Sequence, residues 1–128
     1  MTAAARPSIP MALANGCLHM LHLAVIIFSC VGWMSPVTRP AHLVLAGLIA
    51  CSWFVLGPLI GHPGFCALTG IQHRVWEGLG QTERPNYMSY LYRKLTGREP
   101  NPARVQTVTQ LTFYATTAAS IVLFLLGR

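Results

Sequence analysis

From Met11 to Met34 the chain carries no formal charge. An apolar run of about 18 residues or more is long enough to cross a bilayer as a helix, and this one exceeds that length. Near its midpoint stands His22, with His19 one helical turn earlier. An ionisable side chain at that depth is costly to hold away from water. It therefore marks either a functional site or a polar contact between helices.

A second apolar run follows a short break at Ser35–Arg39, and a third closes the chain. Three spans of about 20 residues use roughly half of such a chain, leaving too little for a separate soluble domain. Only 9% of the residues are charged, against about 25% in an average soluble domain. We expect one all-α membrane domain over residues 1–128: a helical bundle of three transmembrane helices plus a short interfacial amphipathic helix. The spans are placed at about 11–33, 41–60 and 106–127, with a cytoplasmic or interfacial segment at about 61–105.

The punctuation supports these bounds. Pro7 and Pro10 suit a loose lead over residues 1–10, and Gly32 with Ser35-Pro36 ends the first span. Pro40 fits the first turn of the second span, where its missing N–H costs nothing. Pro58 kinks the end of that span and Gly61-His62-Pro63-Gly64 breaks it. Residues 65–80 are apolar at first but too short to cross; they read as an extension of the second span or as an interfacial or re-entrant piece. Asn101-Pro102 provides an N-cap and a first-turn proline for the last helix. A cleavable signal peptide is the competing reading of the N-terminus. The first run is longer than a usual h-region and no small-residue cleavage site follows Met34, so a retained helix is expected.

Between the two breaks, Met88, Leu91, Tyr92 and Leu95 recur at helical spacing. They describe either an amphipathic helix on the membrane surface or a helix packed on the core. Trp33, Trp76, Tyr87, Tyr90 and Tyr92, with Arg93 and Lys94, are the candidate membrane-interface residues, because amphipathic rings and basic groups collect at headgroup depth.

The only acids are Glu77, Glu83 and Glu99, and the formal net charge is +6. Most of the positive charge lies in the long connection, as Arg74, Arg84, Arg93, Lys94, Arg98 and Arg104, while the short loop holds Arg39 alone. Orientation in a membrane accounts for that asymmetry better than nucleic acid does. It places the basic connection and the N-terminus on the cytoplasmic side of an inner membrane. The lipid bilayer and other membrane subunits are the expected partners.

Catalytic signatures are missing: there is no GxSxG, HExxH or glycine-rich phosphate loop. No carboxylate falls inside a span, which argues against acid-coupled transport. Cys17, Cys30, Cys51 and Cys66 form no CxxC pair, and a disulfide is not expected.

The histidines leave two readings. A neutral imidazole can ligate haem iron or chlorophyll magnesium, so His22 and His19 are the candidate cofactor-binding residues. For a bis-histidine haem, only His62 or His73 matches His19 in depth, since His42 belongs at the far end of the second span. The plain reading is a hydrogen bond from His22 or His19 to a Ser or Thr on another helix. The last span supplies such partners in Thr109, Thr112, Thr116 and Ser120, a stripe at three- and four-residue intervals that reads as a helix-packing seam. Leu111, Val122, Phe124 and Leu125 then face lipid or a partner.

The order of Leu18-His19, Leu21-His22-Leu23-Ala24, Arg39-Pro40-Ala41-His42 and Phe65-Cys66-Ala67-Leu68-Thr69 resembles a family of small bacterial integral membrane proteins of unknown function. That family has a Leu-His-rich first span and a Cys-Pro-Leu-Thr-like motif after the second; here Ala67 stands at the proline position. The resemblance implies the fold and carries no activity. Together these features lead us to expect a non-catalytic accessory, structural or assembly subunit of a larger inner-membrane complex, with energy-converting complexes among the candidates. The alternatives are a haem- or chlorophyll-binding redox or pigment protein, and a small oligomeric transporter.

Overall fold

The computed structural model describes residue 6 and residues 8–128, and within them the chain is all-helical. Three helices are long and apolar enough to cross a membrane: α1 (Ile9–Val31), α2 (Arg39–Leu59) and α5 (Pro102–Leu125). Two shorter helices lie between the second and third, α3 (Ala67–Gly78) and α4 (Tyr87–Thr96). Most of the lead expected over residues 1–10 lies outside the described residues. Helix α1 starts earlier than expected because Pro10 fits its first turn, where no intrahelical N–H bond is needed.

The turn between α1 and α2 is held by polar groups. Thr38 Oγ1 donates to the Gly32 carbonyl at 2.7 Å, and Arg39 Nε donates to the Trp33 carbonyl at 3.1 Å. Arg39 is buried, so the one cation of this loop braces the backbone and is not a free surface charge. It also opens α2, two residues before the expected start. Trp33 is half-buried, its Nε1 donating to the Cys30 carbonyl at 2.8 Å.

The end of α2 sends the chain back on itself. Residues Ser52–Leu56 form a wider π turn, and the Gly57 N–H reaches back to the Ser52 carbonyl. The next donor in that ladder would be residue 58, and Pro58 has no N–H. The Trp53 carbonyl is taken instead by the Gly64 N–H at 3.2 Å. Gly64 adopts φ +78°, a left-handed conformation that a side chain would strain. At Gly57 any Cβ would collide with the His62 carbonyl, 2.5 Å away. The chain thus turns at the end of α2 and climbs back along it. Ser52 completes the turn: its hydroxyl donates to the Phe65 carbonyl and accepts from the Ala67 N–H, both at 2.9 Å. A side chain of α2 therefore caps the start of α3, whose own N-cap residue, Cys66, makes no side-chain cap bond.

Residues 65–80 are thus not an extension of the second span: they turn back along it and carry a short helix of their own. Twelve residues rise about 18 Å, well short of the roughly 30 Å hydrocarbon core. Thr69 reaches His22 near the middle of α1, Trp76 reaches Asn15, and Gly78 meets Met11 near its start. That order makes α3 antiparallel to α1.

Helix α4 begins at Asn86, whose Oδ1 accepts from the Ser89 N–H at 2.8 Å, and ends at Gly97 with φ +68°. Helix α5 begins as expected at Asn101-Pro102, with Asn101 Oδ1 accepting from the N–H groups of Ala103 and Arg104. Its Phe113 ring packs against Trp53 of α2, with centroids 4.9 Å apart. The four cysteines are free thiols.

Candidate functional site: a polar clasp between the first span and the half-helix

Asn15, His19 and His22 fall at spacings of four and three on α1, so they share one face. Thr69, Gln72 and Trp76 do the same on α3. The two rows meet, and Tyr87 and Tyr90 of α4 close over them.

Asn15 anchors this contact through one atom. Its Oδ1 accepts from Gln72 Nε2 at 2.7 Å and from Trp76 Nε1 at 3.0 Å. His19 Nδ1 shares a hydrogen bond with the Tyr87 hydroxyl at 3.1 Å, and its ring stacks on Tyr90. His22 is 4% exposed. Its Nδ1 lies 3.2 Å from the Leu18 carbonyl; a carbonyl only accepts, so Nδ1 carries the proton. Nε2 then accepts from the Thr69 hydroxyl at 3.4 Å. The face of the ring is covered by Tyr87, 3.8 Å away and 6° from parallel. His73 donates from Nε2 to the Pro85 carbonyl at 2.7 Å and ties the loop before α4 to α3. Gln72 is fully buried, and its Oε1 has no donor within reach.

Burial, with the neighbouring Tyr90 adding to it, holds the Tyr87 phenol above its usual ionisation range. The clasp is rimmed by ion pairs on its exposed side. Arg93 donates to Glu83 at 3.1 Å and to Glu99 at 2.9 Å, and Arg84 pairs with Glu77. The Glu83 carboxylate first, then Glu99, raises the guanidinium further above its ordinary value. Arg93 thereby links the stretches before and after α4.

The candidate residues named from sequence separate into groups. His19 and His22 meet Tyr87, Tyr90 and Trp76 in one cluster. The hydroxyl partner of His22 is Thr69 on the half-helix and not a residue of the last span, because α3 occupies the face of α1 that carries the histidines. Trp76 is only 2% exposed: its indole N–H is spent on Asn15, so it is a packed residue and not an anchor facing headgroups. Tyr87 is likewise buried, and Tyr90 is half-buried. Tyr92, Lys94 and Leu95 face outward, Leu95 being 76% exposed. The most buried residues of α4 are therefore Tyr87 and Ser89; of the apolar row read from the spacing, Met88 and Leu91 are half-buried like Tyr90, while Tyr92 and Leu95 are exposed.

On α5 the buried positions are Phe113 and Ser120, with Thr109 and Thr116 half-buried and Thr112 exposed. The hydroxyl stripe is thus interrupted. Thr109 and Thr116 bond to the carbonyls of Val105 and Thr112 in their own helix, so these hydroxyls do not bridge to another span.

His42 donates from Nε2 to the Ser29 carbonyl at 3.0 Å. Ser29 is seven residues beyond His22, or about 10 Å along α1, so the two imidazoles occupy separate levels. His62 is exposed, and His73 is turned toward Pro85. Among the described residues no group of three or more His, Cys, Asp or Glu side chains is placed to hold a metal ion. For a tetrapyrrole, His22 lacks an open approach: one ring nitrogen faces Leu18, the other faces Thr69, and Tyr87 lies on the ring. The residues present do not fit an axial ligand there.

Asn15, Thr69 and Gln72 do not stand out in the sequence as site residues. A signal existed: Asn15 continues the His19–His22 row, and Thr69, Gln72 and Trp76 form a matching row on a segment too short to span.

Fold and site together define an all-helical chain of three membrane-length apolar helices with a half-helix clasped to the first by polar side chains. The family described as "Protein of Unknown function (DUF2784)" matches residues 12–126, and the chain belongs to it. No curated protein and no solved structure gave a match.

Proposed function

We propose that this chain is a non-catalytic accessory or assembly subunit of a larger bacterial inner-membrane complex, with the basic 61–105 connection on the cytoplasmic side. One observation carries the reading. The intramembrane polar side chains that would do chemistry are turned on each other: His22 on Thr69 and Leu18, Asn15 on Gln72 and Trp76, His42 on Ser29. What the spans present outward is apolar, including Val44, Leu48, Phe54 and Leu111. A site built for turnover needs groups open to a substrate, whereas a structural subunit needs a rigid shape and lateral contact surface.

The test is isolation of the tagged chain from its native membrane in mild detergent. The expected product is colourless and elutes with larger membrane subunits at fixed stoichiometry. A Soret or chlorin absorption band that disappears in His22→Ala overturns this reading in favour of a pigment or redox protein. A homogeneous chain that purifies without partners also counts against it.

A further inference from the structure

On the outer side of the clasp, a half-open cleft of about 530 Å³ lies between the end of α3 and α4, lined by Trp76, Glu83, Pro85, Tyr90, Arg93 and Lys94. Its volume is within the range of small-molecule sites. Trp76 and Tyr90 form an aromatic floor, with centroids 4.9 Å apart. The walls carry both signs of charge. Lys94 is exposed and takes part in no ion pair among the described residues. Glu83 gives one oxygen, Oε2, to Arg93 and is otherwise exposed, which leaves acceptor capacity toward solvent.

We propose that this cleft binds the headgroup of a zwitterionic, amine-bearing phospholipid. The ammonium lies against Glu83 and the aromatic floor, where ring faces and a carboxylate both attract a cation. The phosphate lies against Lys94. The cleft's place along the first apolar helix agrees with a lipid as the source. The cleft adjoins Gly78, which packs on Met11 at the start of α1, so it sits at the end of a span. Arg93 is already shared by Glu83 and Glu99, so the cleft has no large excess of positive charge that would favour a purely anionic lipid.

Native mass spectrometry of the full chain in detergent micelles, doped with either phosphatidylethanolamine or phosphatidylglycerol, tests the proposal. The unmodified chain is expected to retain phosphatidylethanolamine several-fold more than phosphatidylglycerol. Lys94→Gln lowers phosphatidylethanolamine retention about fivefold, the scale of one basic group at a membrane surface. Glu83→Gln removes the ammonium partner and frees Arg93, so preference shifts toward phosphatidylglycerol. Competition by soluble phosphoethanolamine supports the headgroup chemistry; the absence of competition together with equal retention of both lipids overturns it. If Glu83→Gln alters the unfolding temperature, Lys94→Gln alone decides, since that side chain is exposed and forms no ion pair: unchanged retention in this variant overturns the proposal.

Discussion

His22 and Tyr87 lie face to face, ring centroids 3.8 Å apart and planes 6° from parallel, although 65 positions separate them in sequence (87 − 22). The pair joins the middle of the first span to the first turn of α4. Everything between them, the second span and the half-helix included, is gathered by that closure. Tyr87 also bonds His19, so one residue holds both histidines.

The two roles of Tyr87 separate by substitution. Tyr87→Phe keeps the stack and loses only the bond to His19, and should cost about 1 kcal/mol. Tyr87→Ala loses both, together with the buried ring, and should cost about 3–5 kcal/mol. Unfolding in detergent, followed by circular dichroism, measures the difference. Equal losses would mean that the stack contributes nothing.

Asn15 supports two buried donors through one oxygen. Asn15→Ala leaves Gln72 Nε2 and Trp76 Nε1 without an acceptor, a cost of about 1–3 kcal/mol for each in water-soluble proteins. Polar contacts between membrane helices average less, about 0.6 kcal/mol, so a total near 2 kcal/mol is expected. Trp76 fluorescence reports the site directly: a red-shifted emission in the variant indicates that the indole has lost its enclosed position.

The missing N–H of Pro58 directs the return of the chain. Pro58→Ala supplies a donor that competes for the Trp53 carbonyl and releases the Gly64 amide. Hydrogen exchange at Gly64 should then accelerate about tenfold or more, equivalent to about 1.4 kcal/mol of lost protection. An unchanged rate would show that the Gly64 bond is independent of Pro58.

Tyr87 should ionise above the ordinary phenol range. Its folded-state value lies above the ordinary 10, because burial and then Tyr90 oppose the phenolate. A group raised on folding contributes stability that is fully present below its unfolded value near 10 and is lost as pH rises through the folded value. Ultraviolet titration of the phenolate band should show a component above the ordinary range that is lost in Tyr87→Phe. Loss of an early component instead would contradict the packing of Tyr87.

The three apolar helices, the Asn101-Pro102 start and the mid-helix place of His22 were legible in sequence because length, charge and capping are local properties. The fate of residues 65–80 was not. It depends on a carbonyl left open by Pro58 and on a cap supplied by Ser52, thirteen positions before Phe65. The inward face of α4 was only partly legible, for a related reason. Apolar spacing points to Met88, Leu91, Tyr92 and Leu95, of which Met88 and Leu91 are half-buried, yet the contact with the His and Trp rings is made by Tyr87 and Tyr90. Trp76 read as an interface anchor because nothing local reveals that Asn15, far away in the chain, accepts its N–H.

Helix α3 starts level with the middle of the first apolar helix, and the clasp depends on that level; a bilayer crossed by α1 would therefore hold Cys66 away from its surface. A spin label on Cys66, with Cys17, Cys30 and Cys51 replaced by alanine, measures it in reconstituted bilayers by relative collision with oxygen and with a water-soluble nickel chelate. The label at Cys66 should be shielded from the chelate, and a label at Gln81 fully open to it. Equal access of the chelate to both positions would contradict the re-entrant half-helix.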